Sequence, residues 1–345
     1  MNNFLPIGKL PVEFLGDLLD KIPITDPRVI LGPGVGLDCT VIDLGSSLLV
    51  LKTDPITFTS KNIGWYAVNI NANDIATTAA VPQWMLATLL LPELRTTSEL
   101  VEQILDQIIQ ACLEIGVSLV GGHTEVTHGI DRPILIGTMI GEVGKDDLVT
   151  PRGAAPGDRI LLTKGVPIEA VSILAREFEG ELSKTLSKNE IVEAKNYIKN
   201  PGISILRDSQ IAVESGTVHA MHDPTEGGLL AALWELSDAS SQSIVIDTGK
   251  IPVPELASRL CQSFGIDPLG AIASGALLLA AAPNDSINIQ SGLRSANILC
   301  EDIGCLRAVI DTESGLDRGV FSETESGIQK LYRPKMDEIT RLFSS

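Results

Sequence analysis

Apolar residues recur at three- and four-residue intervals through 98–115, at Val101, Ile104, Leu105, Ile108 and Cys112, and Gly116 follows. That spacing stripes one face of a helix, and the glycine gives it a stop. Shorter runs read as strands. Residues 40–42 and 48–52 flank Gly45-Ser46-Ser47 as a hairpin, 117–120 runs apolar into Gly121-Gly122, and 133–140 continues as a buried strand. Further on, 159–163 is a short strand, 169–176 and 190–197 carry helical spacing, and 218–221 reads as a strand feeding a helix over 224–237. The runs 276–281 and 308–310 complete the pattern.

The stretch 143–158 (VGKDDLVTPRGAAPGD) separates apolar segments with charge, proline and glycine, as a linker or long turn does. A boundary there gives domains of residues 1–150 and 151–345, each mixing helix and strand. The expected fold class is therefore α/β (α+β) with two domains. At 345 residues the chain has the length for two such cores.

Composition narrows the possible partners. Hydrophobic residues at 44% and charged residues at 20% describe a folded globular chain. A net charge of −18 and a pI near 4.6 repel nucleic-acid backbones and anionic membranes. A nucleotide is not excluded, because a bound magnesium ion reverses the field locally. The five scattered cysteines (Cys39, Cys112, Cys261, Cys300, Cys305) show no disulfide framework and read as free thiols in a reducing compartment. Residues 1–11 lack a basic stretch followed by an apolar run, and no apolar run reaches the ~18–20 residues of a membrane span. The expectation is a soluble cytoplasmic protein that engages neither membrane nor nucleic acid.

Three aspartates adjoin apolar segments: Asp38 in GPGVGLDCTVID, Asp54 in LKTDPITF and Asp74 in NANDIAT. Carboxylates projected from strand ends and loops can converge on a magnesium ion shared with phosphates, although each also reads as a turn or capping residue. Gly32, Gly34 and Gly36 precede Asp38 without forming a P-loop or a dinucleotide fingerprint, and read as a phosphate-approaching or merely flexible loop.

VGGHTEV (120–126) reads as a loop after a strand, offering Gly121, Gly122, His123, Thr124 and Glu125 to a ligand or Thr124 to a helix cap. In MHDPTEGGL (221–229), Asp223 and Glu226 have the spacing of a capping box for a helix starting at Pro224. Gly227 and Gly228 in that first turn would let a ligand approach the helix end. His219 and His222 point to opposite faces of a strand and make no metal pair. His128, Trp65, Trp84 and Trp234 default to packing.

These motifs, in this order, resemble the aminoimidazole ribonucleotide synthetase (PurM-like) superfamily, which includes HypE, selenophosphate synthetase and thiamine-monophosphate kinase. The resemblance rests on GxDCTVID (36–43), TDP (53–55), NDIA (73–76), GGHTEV (121–126), DPTEGG (223–228) and SGALLLA (274–280), and is strongest to HypE-like proteins through DPTEGG and RPKMDEI (333–339). It implies two α/β domains, the first binding ATP and magnesium and pairing its sheet across a homodimer into a barrel, the second an α/β sandwich. By the same resemblance Asp38, Asp54 and Asp74 bind magnesium with Glu125 as a further ligand. Gly36, Asn73, Gly121, Gly122, His123, Thr124, Gly227 and Gly228 adjoin the nucleotide, and Asp223 and Thr225 face nucleotide and acceptor.

The sequence departs from the family pattern in three places. His123 stands where several members have an acid and selenophosphate synthetases have a histidine, which implies that metal binding there has either moved to Glu125 or been lost. HypE proper ends in a cysteine that carries the carbamoyl group, whereas this sequence ends RLFSS. The segment 161–174 (LTKGVPIEAVSIL) has Pro167 and Val171 where relatives have more glycine, implying a stiffer loop. The expected activity is ATP-dependent phosphorylation or dehydration of a carbonyl or amide oxygen of an unidentified small-molecule or protein acceptor. The alternatives are a non-catalytic nucleotide-binding dimer in a maturation or regulatory assembly, and a relative that binds no nucleotide.

Overall fold

The computed structural model describes residues 5, 8–57, 59–309, 318–324 and 327–343. Ile310, which ends the run 308–310, and the terminal Ser344 and Ser345 lie outside the described residues. The chain forms two compact units: Ile24–Gly32 with Asp38–Leu148, called the N-terminal unit, and Met1–Pro23, Pro33–Leu37 and Val149–Ser345, called the C-terminal unit. Helix α1 (Val12–Leu19) belongs to the latter.

In the N-terminal unit β1 (Val29–Leu31), β2 (Thr40–Asp43), β3 (Leu48–Ile56), β4 (Val81–Pro92), β5 (Ser118–Thr127) and β6 (Ile134–Val143) form one sheet in the order β1-β2-β3-β6-β4-β5. Only β4 and β5 run parallel. The hairpin expected around Gly45 is β2–β3, paired from Thr40–Leu51 to Asp43–Leu48. Helix α3 (Ser98–Ile115) has the bounds the apolar spacing predicts. The Thr97 hydroxyl accepts the Leu100 N–H at 3.3 Å, and Gly116 closes the helix in the left-handed conformation.

Helix α2 (Ile63–Ala76) is the central element of this unit, and periodicity does not reveal it. Every residue but Trp65 is buried, so no polar face marks the period. It packs on β3, β6 and α3. β6 alternates buried and half-buried positions, and Gly141 lies on the buried face. A Cβ there would stand 2.4 Å from Ile75 Cγ2 of the helix and 2.8 Å from the Val81 carbonyl, so only glycine admits this approach of helix to sheet.

In the C-terminal unit the elements are β7 (Arg159–Thr163), α4 (Ile168–Glu177), α5 (Glu179–Leu182), α6 (Lys188–Lys195), α7 (Leu206–Ser215), β8 (Ala220–His222), α8 (Gly228–Ser240), β9 (Ser243–Ile246), α9 (Glu255–Phe264), β10 (Leu278–Ala281), α10 (Pro283–Ser295), β11 (Cys300–Arg307), β12 (Val320–Thr324), β13 (Gly327–Leu331) and α11 (Thr340–Phe343). The sheet order is β13-β12-β9-β11-β7-β10-β8, with only β9 and β12 parallel. Ile160, Leu162, Ile244, Ile246, Leu278 and Ala280 pack with Leu229, Leu233 and Leu236 of α8. The alternating residues Leu161 and Leu279 are equally buried, and α10 packs on β7, β10 and β11.

Two sequence expectations change here. Ala308 and Val309 fall beyond β11, which ends at Arg307. The segment 161–174 is mostly not a loop: it is the end of β7 and the start of α4, joined by 164–167, and Val171 is a fully buried core residue.

Gly141→Ala is expected to destabilise the protein by about 1–3 kcal/mol, as overpacking of a tight interior does. A urea melt that matches wild type would show that helix and sheet can separate there without cost.

Candidate functional site

Asp54 projects from β3 and Asp74 from the last turn of α2, not from a strand end or loop. Asp38 lies half-buried just ahead of β2. Between Asp54 and Asp74 stands a residue the motif reading passed over. Lys52 precedes Asp54 by two positions on β3, so both side chains leave the same face of the strand. Its Nζ is 3.2 Å from Asp74 Oδ2 and 3.9 Å from Asp54 Oδ2. Burial draws the Lys52 ammonium toward neutrality, but Asp74, then Asp54 and Asp38, outweigh it and hold its pKa well above the ordinary lysine value. Asp54 and Asp74 thus flank one ammonium, and Asp38 acts on it through its charge.

The backbone fixes that position. The Asp74 carbonyl accepts from Cys39 Sγ at 3.1 Å and from the Thr77 hydroxyl at 2.7 Å. The Asn71 amide donates to the carbonyls of Ala67 at 2.8 Å and Asp54 at 3.3 Å, tying α2 to β3. Asn73 is fully buried on the same helix. Carboxylates are the hard oxygen donors magnesium prefers, so Asp38, Asp54 and Asp74 fit a divalent ion by donor chemistry.

The stretch Gly121 to Glu125 is placed otherwise than expected. It is neither a loop nor a helix cap: β5 continues through it to Thr127, paired with β4 from Trp84–Ser118 to Pro92–Thr127. Thr124, Val126 and Thr127 suit a strand, and at an edge the two glycines are tolerated. Gly121, Gly122, His123, Thr124 and Glu125 are all exposed, and His123 Nε2 lies 3.1 Å from Glu125 Oε2. β5 is three strand positions from β3, roughly 14 Å along the sheet, so within one chain Glu125 does not join the aspartates on Lys52.

In the C-terminal unit α8 begins at Gly228, four residues later than the capping-box reading places it. Its N-cap is Gly227, which makes no side-chain cap and whose N–H donates to Asp337 Oδ2 at 2.6 Å. Gly227 and Gly228 have φ of +83° and +62°, and a Cβ on Gly228 would stand 2.6 Å from the carbonyls of Ala271 and Leu269. Backbone geometry thus accounts for both glycines. Asp223 is buried in the preceding loop, and Gly36 lies against the backbone of Glu235.

Thr225 is the start of a polar chain. Lys9 Nζ donates to Thr225 Oγ1 at 3.3 Å and lies 3.5 Å from Glu235 Oε1, while Glu235 Oε2 meets His222 Nε2 at 2.8 Å. Burial raises the Glu235 pKa, but Lys9, His222 and Arg333 overcome it and hold the group down to about 2. His219 pairs instead with Asp158 at 2.9 Å, so the two histidines serve separate carboxylates. A cavity of about 780 Å³ opens beside this chain, lined by Lys9, Trp234, Glu235, Arg333 and Asp337 among others. The motif RPKMDEI shapes it: Arg333 donates to Asp238 at 2.9 Å and lies over the half-buried Trp234 ring, and Asp337 holds the start of α8. Trp65 and Trp84 are also half-buried, and Trp234 packs against the C-terminal core as expected.

Glu169, in the first turn of α4, is buried with the opposite charge regime. Burial pushes its pKa up to about 8. The Ser274 hydroxyl opposes that rise, and Asp337, Glu226 and Asp223 reinforce it. Burial likewise raises Asp337 to about 6 against the N–H groups of Ile339 and Gly227. Glu169 is thus a neutral acid, able to donate a hydrogen bond, beside carboxylates at neutral pH.

The profile of the AIR synthase related protein N-terminal domain matches residues 36–143, and that of the AIR synthase related protein C-terminal domain matches 155–309. The chain belongs to the AIR synthase related family. It is 27% identical to a Methanocaldococcus jannaschii protein named for hydrogenase expression/formation, over 97% of both chains. With carbamoyl dehydratase HypE of Azotobacter vinelandii it shares 30% identity over 70% of this chain and 69% of that one. A crystal structure of the hydrogenase maturation protein HypE in complex with ATP superposes with a TM-score of 0.72 at 24% identity, covering 91% of each chain. The two-domain PurM-like fold with two mixed sheets is therefore shown for this family member. Among the described residues no helix is long and apolar enough to cross a membrane.

A carboxyl whose folded pKa lies above its unfolded value binds more protons when folded, so stability falls as pH rises between the two. For Glu169 that window runs from 4.5 to about 8, and the full shift corresponds to on the order of 5 kcal/mol. Glu169→Gln is expected to flatten the decline of thermal stability across this window. A decline as steep as wild type would place the responsible groups elsewhere.

Proposed function

We propose that the chain is an ATP-dependent enzyme that phosphorylates, or dehydrates through phosphorylation, a carbonyl or amide oxygen of its acceptor. The observation that supports this reading is the pair Asp54 and Asp74 flanking the Lys52 ammonium in the N-terminal unit, with Asp38 acting on it through its charge. Family membership supports it, as does the likeness to a HypE solved with ATP. The name carbamoyl dehydratase of the Azotobacter relative points to an amide-like acceptor group.

Phosphoryl transfer asks mainly for positioning and charge neutralisation. Magnesium, when bound by the three aspartates, supplies the neutralisation of nucleotide phosphates. Asn71 and the ties on the Asp74 carbonyl keep the helix carboxylate where that ion needs it. Asn73 keeps its place beside the nucleotide. Asp223 and Thr225, with Lys9 donating to the threonine, act on the acceptor from the C-terminal unit.

The reading includes a cytoplasmic homodimer. β5 is an edge strand with nearly every residue exposed, including Val120 at 54% and Val126 at 57%. An exposed apolar edge invites pairing with another strand. A second copy pairing its sheet there would form the composite barrel, and His123, Thr124 and Glu125 would then serve the nucleotide from that edge.

Asp74→Asn is expected to weaken ATP binding at least tenfold in magnesium and much less in EDTA, by calorimetry with a phosphate-release assay alongside. Equal losses in both buffers would make Asp74 purely structural, and binding without turnover toward any acceptor would instead describe a nucleotide-binding scaffold. Wild type should be a dimer by light scattering at micromolar concentration, and the double substitution Val120→Lys, Val126→Lys should yield a folded monomer. A wild-type monomer would remove the composite barrel.

A further inference from the structure

We infer that Lys52 is the resident cation of the aspartate cluster, and that its ammonium keeps Asp74 from taking a divalent ion until a nucleotide brings metal and phosphate in together. The inference rests on the magnesium-nucleotide reading above and adds an order of loading to it.

The Asp74 carboxylate and the Lys52 ammonium are enclosed together. Its side chain is 2% exposed, that of Lys52 is 18% exposed, and the two meet at 3.2 Å. The Asp74 carbonyl is held by Cys39 and Thr77, which fixes the backbone from which the buried carboxylate projects. A divalent ion on Asp74 must therefore either displace the ammonium or sit in contact with it, and the second arrangement opposes three positive charges at close range. Three carboxylates offset one ammonium, so the cluster still carries negative charge, yet its most enclosed ligand is already engaged.

Lysine is suited to yield that place. Its charge rides on a flexible four-carbon stem, and it binds phosphate oxygens as a point charge. Phosphate entering beside β3 offers the ammonium an anion outside the pocket, freeing Asp74 for the metal that accompanies it. Metal and nucleotide then favour each other's binding, and by linkage each raises the affinity of the other by the same factor.

The test is a titration of the full-length protein with manganese, followed by the electron paramagnetic resonance signal of free Mn²⁺, with and without a non-hydrolysable ATP analogue. Wild type should bind manganese at least tenfold more weakly without the analogue than with it. Lys52→Met and Lys52→Gln, checked for folding by circular dichroism, should bind manganese at least tenfold more tightly than wild type in the absence of nucleotide. Lys52→Arg should stay weak, and adding Asp74→Asn to Lys52→Met should abolish the gain. Low-micromolar manganese binding by nucleotide-free wild type overturns the inference without any variant, as does a folded Lys52→Met whose affinity is unchanged or lower. A protein that takes up manganese as predicted in these variants but binds no nucleotide would retain the resident lysine and remove the ATP reading instead.

Discussion

The ammonium of Lys52 against the carboxylate of Asp74 is the contact on which the N-terminal unit depends. A charged group with almost no access to water is tolerated only where a counter-charge meets it. Helix α2 buries that carboxylate together with Asn69, Asn71 and Asn73, and still packs on the sheet. It can do so because its asparagine amides find carbonyls, as Asn69 does at Trp65 and Asn71 at Ala67, and because β3 supplies the lysine. Bare backbone at Gly141 then lets the helix close on β6. Asp54 and Asp74 are thereby held on a strand and a helix, while Asp38 lies in the segment ahead of β2.

The C-terminal unit handles its acids in two ways within one neighbourhood. Glu235 has Lys9, His222 and Arg333 around it and stays ionised. Glu169 has other acids as its charged neighbours and stays protonated. One is a fixed acceptor and the other a donor, a division of labour produced by surroundings alone. The Trp234–Arg333 face and the cavity beside it give this polarity a concave setting.

Much of this was legible in the order of residues. The amphipathic helix at 98–115, the hairpin at Gly45 and the strand at 159–163 follow from period and punctuation, and the motif order pointed to the family before any coordinates. Elements that are buried all round carry no such signature, which is why α2 stayed hidden. The GGHTEV segment misled because glycines and a polar run suggest a loop, whereas an edge strand tolerates both. The late start of α8 reflects two successive left-handed residues, a demand set by the distant carbonyls of Leu269 and Ala271. Lys52 was missed for a related reason: a lysine two residues before an aspartate on a strand looks like an ordinary surface charge until the helix across from it is placed.

The make-up of the C-terminal unit bears on how the chain is made. Its residues come from both ends of the sequence, with Met1–Pro23 and Pro33–Leu37 joining Val149–Ser345. On a ribosome residues 8–37 emerge before the residues of this unit that follow position 148 are translated. The N-terminal unit is complete once residue 148 has cleared the exit tunnel, so it can fold during synthesis while the leading residues wait. Lys9 reaches Thr225 and Glu235 only after residue 235 has emerged, so a residue translated ahead of the N-terminal unit is set in place after it.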